Sequence, residues 1–187
     1  MPKREGRGDA GSILFGTREQ VGVGRGLAEF RAGRPVVITG SEMLMCLPVE
    51  GLDSKRLAAF RELCSPIAPR LVLTGRRARS LGIDSDEPVA IELLADVDVR
   101  TVLALVVDAT ADYDFIPEPA GPEAIAAIDL AKLAQVLPAV LVADTTSAVI
   151  SSFDPRIIAL DSKAVTRFRA NGTQALSIAG EAHVPLS

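Results

Sequence analysis

Tryptophan is absent and tyrosine occurs once. With aromatics at 4% against a hydrophobic fraction of 48%, the interior must be built from aliphatic side chains and alanine. Histidine also occurs once, at His183 near the C-terminus, so a metal set or catalytic triad that needs histidine partners is not available, and an inert surface position is expected. The two cysteines, Cys46 and Cys64, stand far apart in apolar surroundings and read as free buried thiols of a reducing compartment. No apolar run approaches the roughly 18 residues of a membrane span. The charged opening Met1–Gly8 is followed by no apolar stretch of the kind a secretory signal carries. Charge of one sign is lacking too: 24 acidic and 20 basic residues are mixed along the chain for a net −4, which leaves no basic stripe for nucleic acid and no attraction to an anionic membrane. The expectation is a soluble, cytoplasmic protein with no nucleic-acid or membrane partner.

The 187 residues suit one domain with a tail. Residues 1–12, Gly-rich and charged, read as a disordered arm, and residues 13–187 as a single domain. A helix up to Gly33 places Leu27 and Phe30 on a core face. Val36–Ile38 and Met43–Leu47 read as a strand and its hairpin partner, bounded by Thr39-Gly40-Ser41. Asp53 caps a helix with Leu57, Phe60 and Cys64 on one side. A strand at Leu71–Leu73, a basic helix Arg76–Leu81 closed by Gly82, a strand at Pro88–Leu94 and a helix over Asp98–Val107 follow. Residues 109–122, rich in Pro and Gly, read as a loop or a linker. Pro122 opens a helix with Ala126, Leu130, Leu133 and Leu137 as a buried stripe, stopped by Pro138. Strands at Ala139–Ala143 and Ile157–Leu160 come next, then a helix from Asp161 to about Arg169, and Leu176–Ile178 as a strand closing the sheet. Interleaved strands and helices give an α/β (α+β) class: a mixed β-sheet with surrounding helices.

Residue chemistry alone names no enzyme. Gly22-Val23-Gly24-Arg25-Gly26 has the glycines of a phosphate loop but no preceding strand and no Gly-Lys-Ser/Thr ending, so a glycine-weakened first helix is the expectation. Arg76, Arg77 and Arg79 offer charge for a phosphate, although a solvated helix face is the simpler reading. The acidic groups Asp84/Asp86/Glu87 and Asp108/Asp112/Asp114 have the oxygen ligands a hard cation takes, but read as solvated turns.

The order of segments is more informative. Arg25–Ile38 resembles the opening helix and strand of 3,4-dihydroxy-2-butanone 4-phosphate synthase, and Leu71–Ile83 resembles that family's strand–helix unit. Ala127-Ile128-Asp129-Leu130-Ala131-Lys132-Leu133-Ala134 with Leu137-Pro138-Ala139 is similar to its Ala-Val-Asp-Leu-Ala-Arg-Leu-Ala…Pro-Ala helix and strand. Ile157–Arg169 and Ala179–Leu186 resemble its C-terminal strand, helix and exit. The resemblance runs from about residue 20 to 187. It implies a fold, a homodimer with sites at a two-fold interface, and a magnesium-dependent lyase that makes dihydroxybutanone phosphate and formate from ribulose 5-phosphate.

The departures fall where that chemistry belongs. The family's acidic loop after the first strand is shortened here to Thr39-Gly40-Ser41-Glu42. Its Gly-His-Thr-Glu, with a metal-ligating His, falls at Pro122-Glu123-Ala124-Ile125, and its later acid corresponds to Asp144. Of the phosphate contacts, Thr101 is retained while the family's contiguous Asp-Arg before it is lost, leaving Thr101 and Arg76 as weak phosphate candidates. Glu123 and Asp144 are thus degenerate catalytic positions, with no metal site and no cofactor expected. The ending Glu181–Leu186 further resembles the non-catalytic leading domain of some GTP cyclohydrolase II proteins. That implies a dimerisation or regulatory module, isolated or cut from a longer chain, which works with a cyclohydrolase domain in the same or a separate chain. Two alternatives stand: an active lyase with Glu123, Asp144 and Glu42 as replacement magnesium ligands, and a module that binds another phosphorylated metabolite through Arg76.

Overall fold

The computed structural model describes residue 14 and residues 16–108, 110–111, 115–154 and 156–179, with side chains as far as Asn171. The expected arm at 1–12, His183, Asp112, Asp114 and the exit segment lie outside the described residues. In chain order the elements are α1 (Arg18–Arg31), β1 (Val36–Thr39), β2 (Met43–Pro48), α2 (Ser54–Cys64), β3 (Arg70–Leu73), α3 (Gly75–Ser80), β4 (Val89–Glu92), α4 (Val99–Val107), β5 (Pro117–Pro119), α5 (Pro122–Ala134), β6 (Ala139–Asp144), α6 (Ser147–Ser151), β7 (Ala159–Asp161) and α7 (Ser162–Ala179). The strands form one mixed sheet in the order β5-β4-β3-β6-β2-β1-β7, in which the β1–β7 pair is parallel and the others antiparallel. The α/β class expected from the interleaved pattern is the class observed.

Strand alternation gives the sheet two buried faces. Val36, Ile38, Leu44, Cys46, Val72, Val140 and Val142 point toward α1, α5 and α7. Met45, Leu47, Leu71, Leu73, Ile91 and Leu141 point toward α2, α3 and α4. Helices therefore cover both sides, and the core is aliphatic, as the scarcity of aromatics requires. Cys46 and Cys64 are free, buried, and belong to opposite faces. Burial pushes the Cys64 thiol up to about 11 and raises that of Cys46 further still.

Arginine stitches the layers together. Arg31 Nε on α1 donates to Ala134 O at the end of α5 (3.1 Å). Arg61 Nη2 on α2 donates to Leu94 O and Val97 O (2.8 Å each). Arg77 on α3 donates to Leu105 O (2.7 Å), Ala104 O (3.0 Å) and Asp108 O, closing the C-terminus of α4. Carbonyls left open at a helix end need such partners, and a guanidinium fork serves several at once.

Four expectations need correction. The segment 109–122 is not merely a loop or linker, because Pro117–Pro119 pairs with β4 as the edge strand β5. The helix expected to run to Pro138 ends at Ala134, where Gln135 turns left-handed at φ 59°. Of its expected stripe, Ala126 and Leu130 are buried and Leu133 partly so, whereas Leu137 lies beyond the helix and packs on the opposite core. Leu176–Ile178 closes no sheet: it belongs to α7, which continues past Arg169 to Ala179. A three-residue apolar run cannot by itself separate helix from strand. Among the described residues, no helix is long and apolar enough to cross a membrane.

Candidate functional site

Three elements meet at the tight turn between β1 and β2. Gly40 N donates to Glu42 O at 2.9 Å, which folds Thr39–Glu42 back on itself. Beneath it lies the N-terminus of α5, where Gly121 caps without a side chain, Pro122 opens the helix and Glu123 occupies the first turn. A carboxylate is favoured there by the unpaired amides of the helix start. Glu123 is only 2% exposed. Its Oε1 accepts hydrogen bonds from Ser41 N (2.8 Å) and Ser41 Oγ (3.2 Å), and Oε2 lies 3.4 Å from the same hydroxyl. A Cβ on Gly40 would overlap Glu123 Oε1 and come within 2.8 Å of Ser162 Oγ, so glycine is what lets the turn settle on both helices. Glu123 is thus a buried strut under the turn.

Asp144 ends β6 at the same end of the sheet, directly opposite Leu44 of β2. Alternation puts it on the same face as Val142, the face that α5 covers. Arg70, the first residue of β3, pairs with Val142 and reaches along the strand, placing Nη2 3.2 Å from both carboxylate oxygens of Asp144. The pair is partly wet, with side chains 30% and 46% exposed. Across β4 the direct partner of Arg70 is Glu92.

Glu123 and Asp144 therefore share one end and one face of the sheet, and Glu42 lies exposed on the turn beside them. The two phosphate candidates do not join them. Thr101 and Arg76 belong to the helix layer on the other face. Thr101 donates through both N and Oγ1 to Asp98 Oδ1 at 2.8 Å, as part of the N-terminal cap of α4. Those bonds hold the Asp98 carboxyl below its ordinary range. Arg76 is exposed on α3, next to the Arg77 that closes the opposite end of α4. The Gly22–Gly26 segment lies within α1 and forms no loop; Gly26 is there because a Cβ would overlap Leu160 of β7. Sequence reasoning missed Ser41, Ser162 and Arg70. Of these, Arg70 carried a signal, being a charge at the head of an otherwise apolar strand.

The sequence matches no protein-family model and no curated protein. Solved structures do match. A two-domain 3,4-dihydroxy-2-butanone 4-phosphate synthase from A. baumannii (RibBX) superposes with a TM-score of 0.59 at 15% identity, over 79% of this chain and 57% of that one. The fold is that of the dihydroxybutanone phosphate synthases. The Candida albicans synthase gives a TM-score of 0.57 at 14% identity, over 78% and 96% of the two chains. A synthase in complex with two magnesium ions gives 0.59 at 10% identity, over 81% and 97%. The present chain thus spans 57% of the length of the two-domain protein. At these identities the likeness speaks for architecture and leaves chemistry to the residues.

Those residues do not fit a magnesium ion. The ion takes oxygen ligands in near-octahedral array, keeping waters beside one or two carboxylates that must be turned toward it. Here Glu123 is turned onto Ser41, and both oxygens of Asp144 face the Arg70 guanidinium. Among the described residues, no group of three or more His, Cys, Asp or Glu side chains is placed to hold a metal.

Proposed function

We propose that this chain is a synthase-fold module without lyase chemistry. In this reading it acts as a homodimerising and regulatory domain for a GTP cyclohydrolase II type protein of riboflavin biosynthesis, in the same or a separate chain. The observation that carries the reading is the Glu123 carboxylate. At the position that resembles the family's metal-binding histidine, it is 2% exposed and hydrogen-bonded to Ser41, as a structural part of the turn. The pinning of Asp144 by Arg70 supports the same reading. Enediolate chemistry on a sugar phosphate needs a cation or preorganised donors where negative charge develops, and both carboxylates are committed elsewhere.

The test is formate release from ribulose 5-phosphate with magnesium. No formate above the protein-free rate is expected. Protein-dependent formate that disappears in Asp144→Asn refutes the reading. The lyase alternative has one observation in its favour, the placement of Glu123 and Asp144 at one end and face of the sheet, and this assay decides between the two. Dimerisation is checked by light scattering, where a species of twice 19.6 kDa is expected and a lone 19.6 kDa species at tens of micromolar counts against it. The regulatory role is checked by adding the chain to a separate GTP cyclohydrolase II and measuring its turnover, where a change in rate is expected.

A further inference from the structure

Arg70 is the charged residue of a strand whose other members, Leu71, Val72 and Leu73, are fully buried. Its direct partner across β4 is Glu92, and Asp144 lies two residues beyond its partner Val142 on β6. All three stand on the face shared by Val72, Ala90 and Val142. A guanidinium therefore stands between two acidic positions at the end of the sheet that also carries the Thr39–Glu42 turn. One nitrogen, Nη2, lies 3.2 Å from both oxygens of Asp144, so a single corner of the guanidinium faces the whole carboxylate.

We infer that Arg70 is the resident cation of this site: it satisfies Asp144, ties the head of β3 to the tail of β6, and keeps divalent metal away. A divalent ion approaching Asp144 meets a fixed positive charge within a few ångströms. Even in a water-like dielectric, that repulsion weakens binding by roughly tenfold or more. Hydrogen bonding to the carboxylate adds to this, since the ion must also displace the guanidinium. The inference rests on the metal-free reading above and assigns its cause to one side chain.

Manganese(II) is a suitable probe, its free concentration being read from its paramagnetic resonance signal in the presence of the full chain. The wild-type protein is expected to show no saturable binding up to about 1 mM, the weak end for carboxylate sites, and a melting temperature indifferent to manganese or chelator. Arg70→Ala is expected to bind manganese at least about tenfold more tightly, to melt higher in its presence, and to lose both gains on addition of Asp144→Asn. Arg70→Lys, which keeps the charge, is expected to stay indifferent to metal. If Arg70→Ala does not fold, Arg70→Gln takes its place under the same expectations. Metal indifference of the neutral variants overturns the role of Arg70 and leaves the metal-free reading intact. Stoichiometric manganese binding by the wild-type protein, abolished by Asp144→Asn, overturns both.

Discussion

Replacing Glu123 with alanine should destabilise the protein, because the carboxylate works as a strut. The substitution removes the hydrogen bonds from Ser41 N and Oγ and a negative charge at the start of α5. Hydrogen bonds to charged groups contribute about 1.5–3 kcal/mol each, and the charge at the helix start about 0.3–1 kcal/mol. Ser41 is itself exposed, so water takes over part of its bonding, which brings the net loss to about 2–3 kcal/mol. For a chain of this size that lowers the melting temperature by roughly 4–12 °C. Glu123→Gln keeps an acceptor and should lose about 1 kcal/mol, or roughly 2–4 °C. A double-mutant cycle sharpens the test. Gly40→Ala places a Cβ against Glu123 Oε1, so its cost should fall sharply once Glu123 is alanine, leaving the smaller pressure on Ser162 Oγ. A coupling of about 1–3 kcal/mol is expected from melts followed by circular dichroism. Additive losses, or an alanine variant melting within about 1 °C of wild type, would refute the strut.

Leu130→Asp puts an unpaired charge at a fully buried position of α5 and should unfold the domain, seen as loss of cooperative melting. Leu133→Asp, at a partly buried position, should be tolerated better. Arg77→Lys gives up the fork that serves three carbonyls at the end of α4, and should cost about 1–2 kcal/mol in denaturant titration. The Cys64 thiol is raised by burial from an ordinary 9.0 to about 11. The folded state therefore keeps a proton that the unfolded chain releases first. Stability from this group is complete below pH 9.0 and is lost as pH rises toward 11, so melting temperature should decline across that window and less so in Cys64→Ala.

Most of the fold was legible because its signals are local. Asp53 caps the helix it was expected to cap, a helix follows Asp98 as expected, and the β1–β2 hairpin lies where Thr39–Gly40–Ser41 breaks the apolar runs. What was missed depends on tertiary context. Pro117–Pro119 looks like a breaker until β4 is there to pair with it. The α5 stripe was drawn as one apolar face, yet α5 is packed by the sheet on one side and by α1 and α7 on others, so Ala124, Ala127 and even Asp129 are buried as well. Asp129 is tolerated there because Arg169 of α7 pairs with it. At the site, the resemblance singled out Glu123 and Asp144 as positions, but not the partners that hold them. Ser41 lies 82 residues from Glu123 and Arg70 lies 74 from Asp144, separations that spacing rules do not reach.

The two rims of the sheet differ in what they offer a neighbouring strand. Ala120 N donates inward to Pro88 O, so alternation points the amide positions of 117 and 119 outward, and both are proline. The β5 rim thus has no outward N–H to give at either position and cannot template a further strand there, whereas the β7 rim carries no proline at 159–161. Growth by strand addition has a single permissive end. Two copies joined through it would present a proline-sealed rim at each outer edge, so association by that route terminates at a pair and cannot propagate into a fibre.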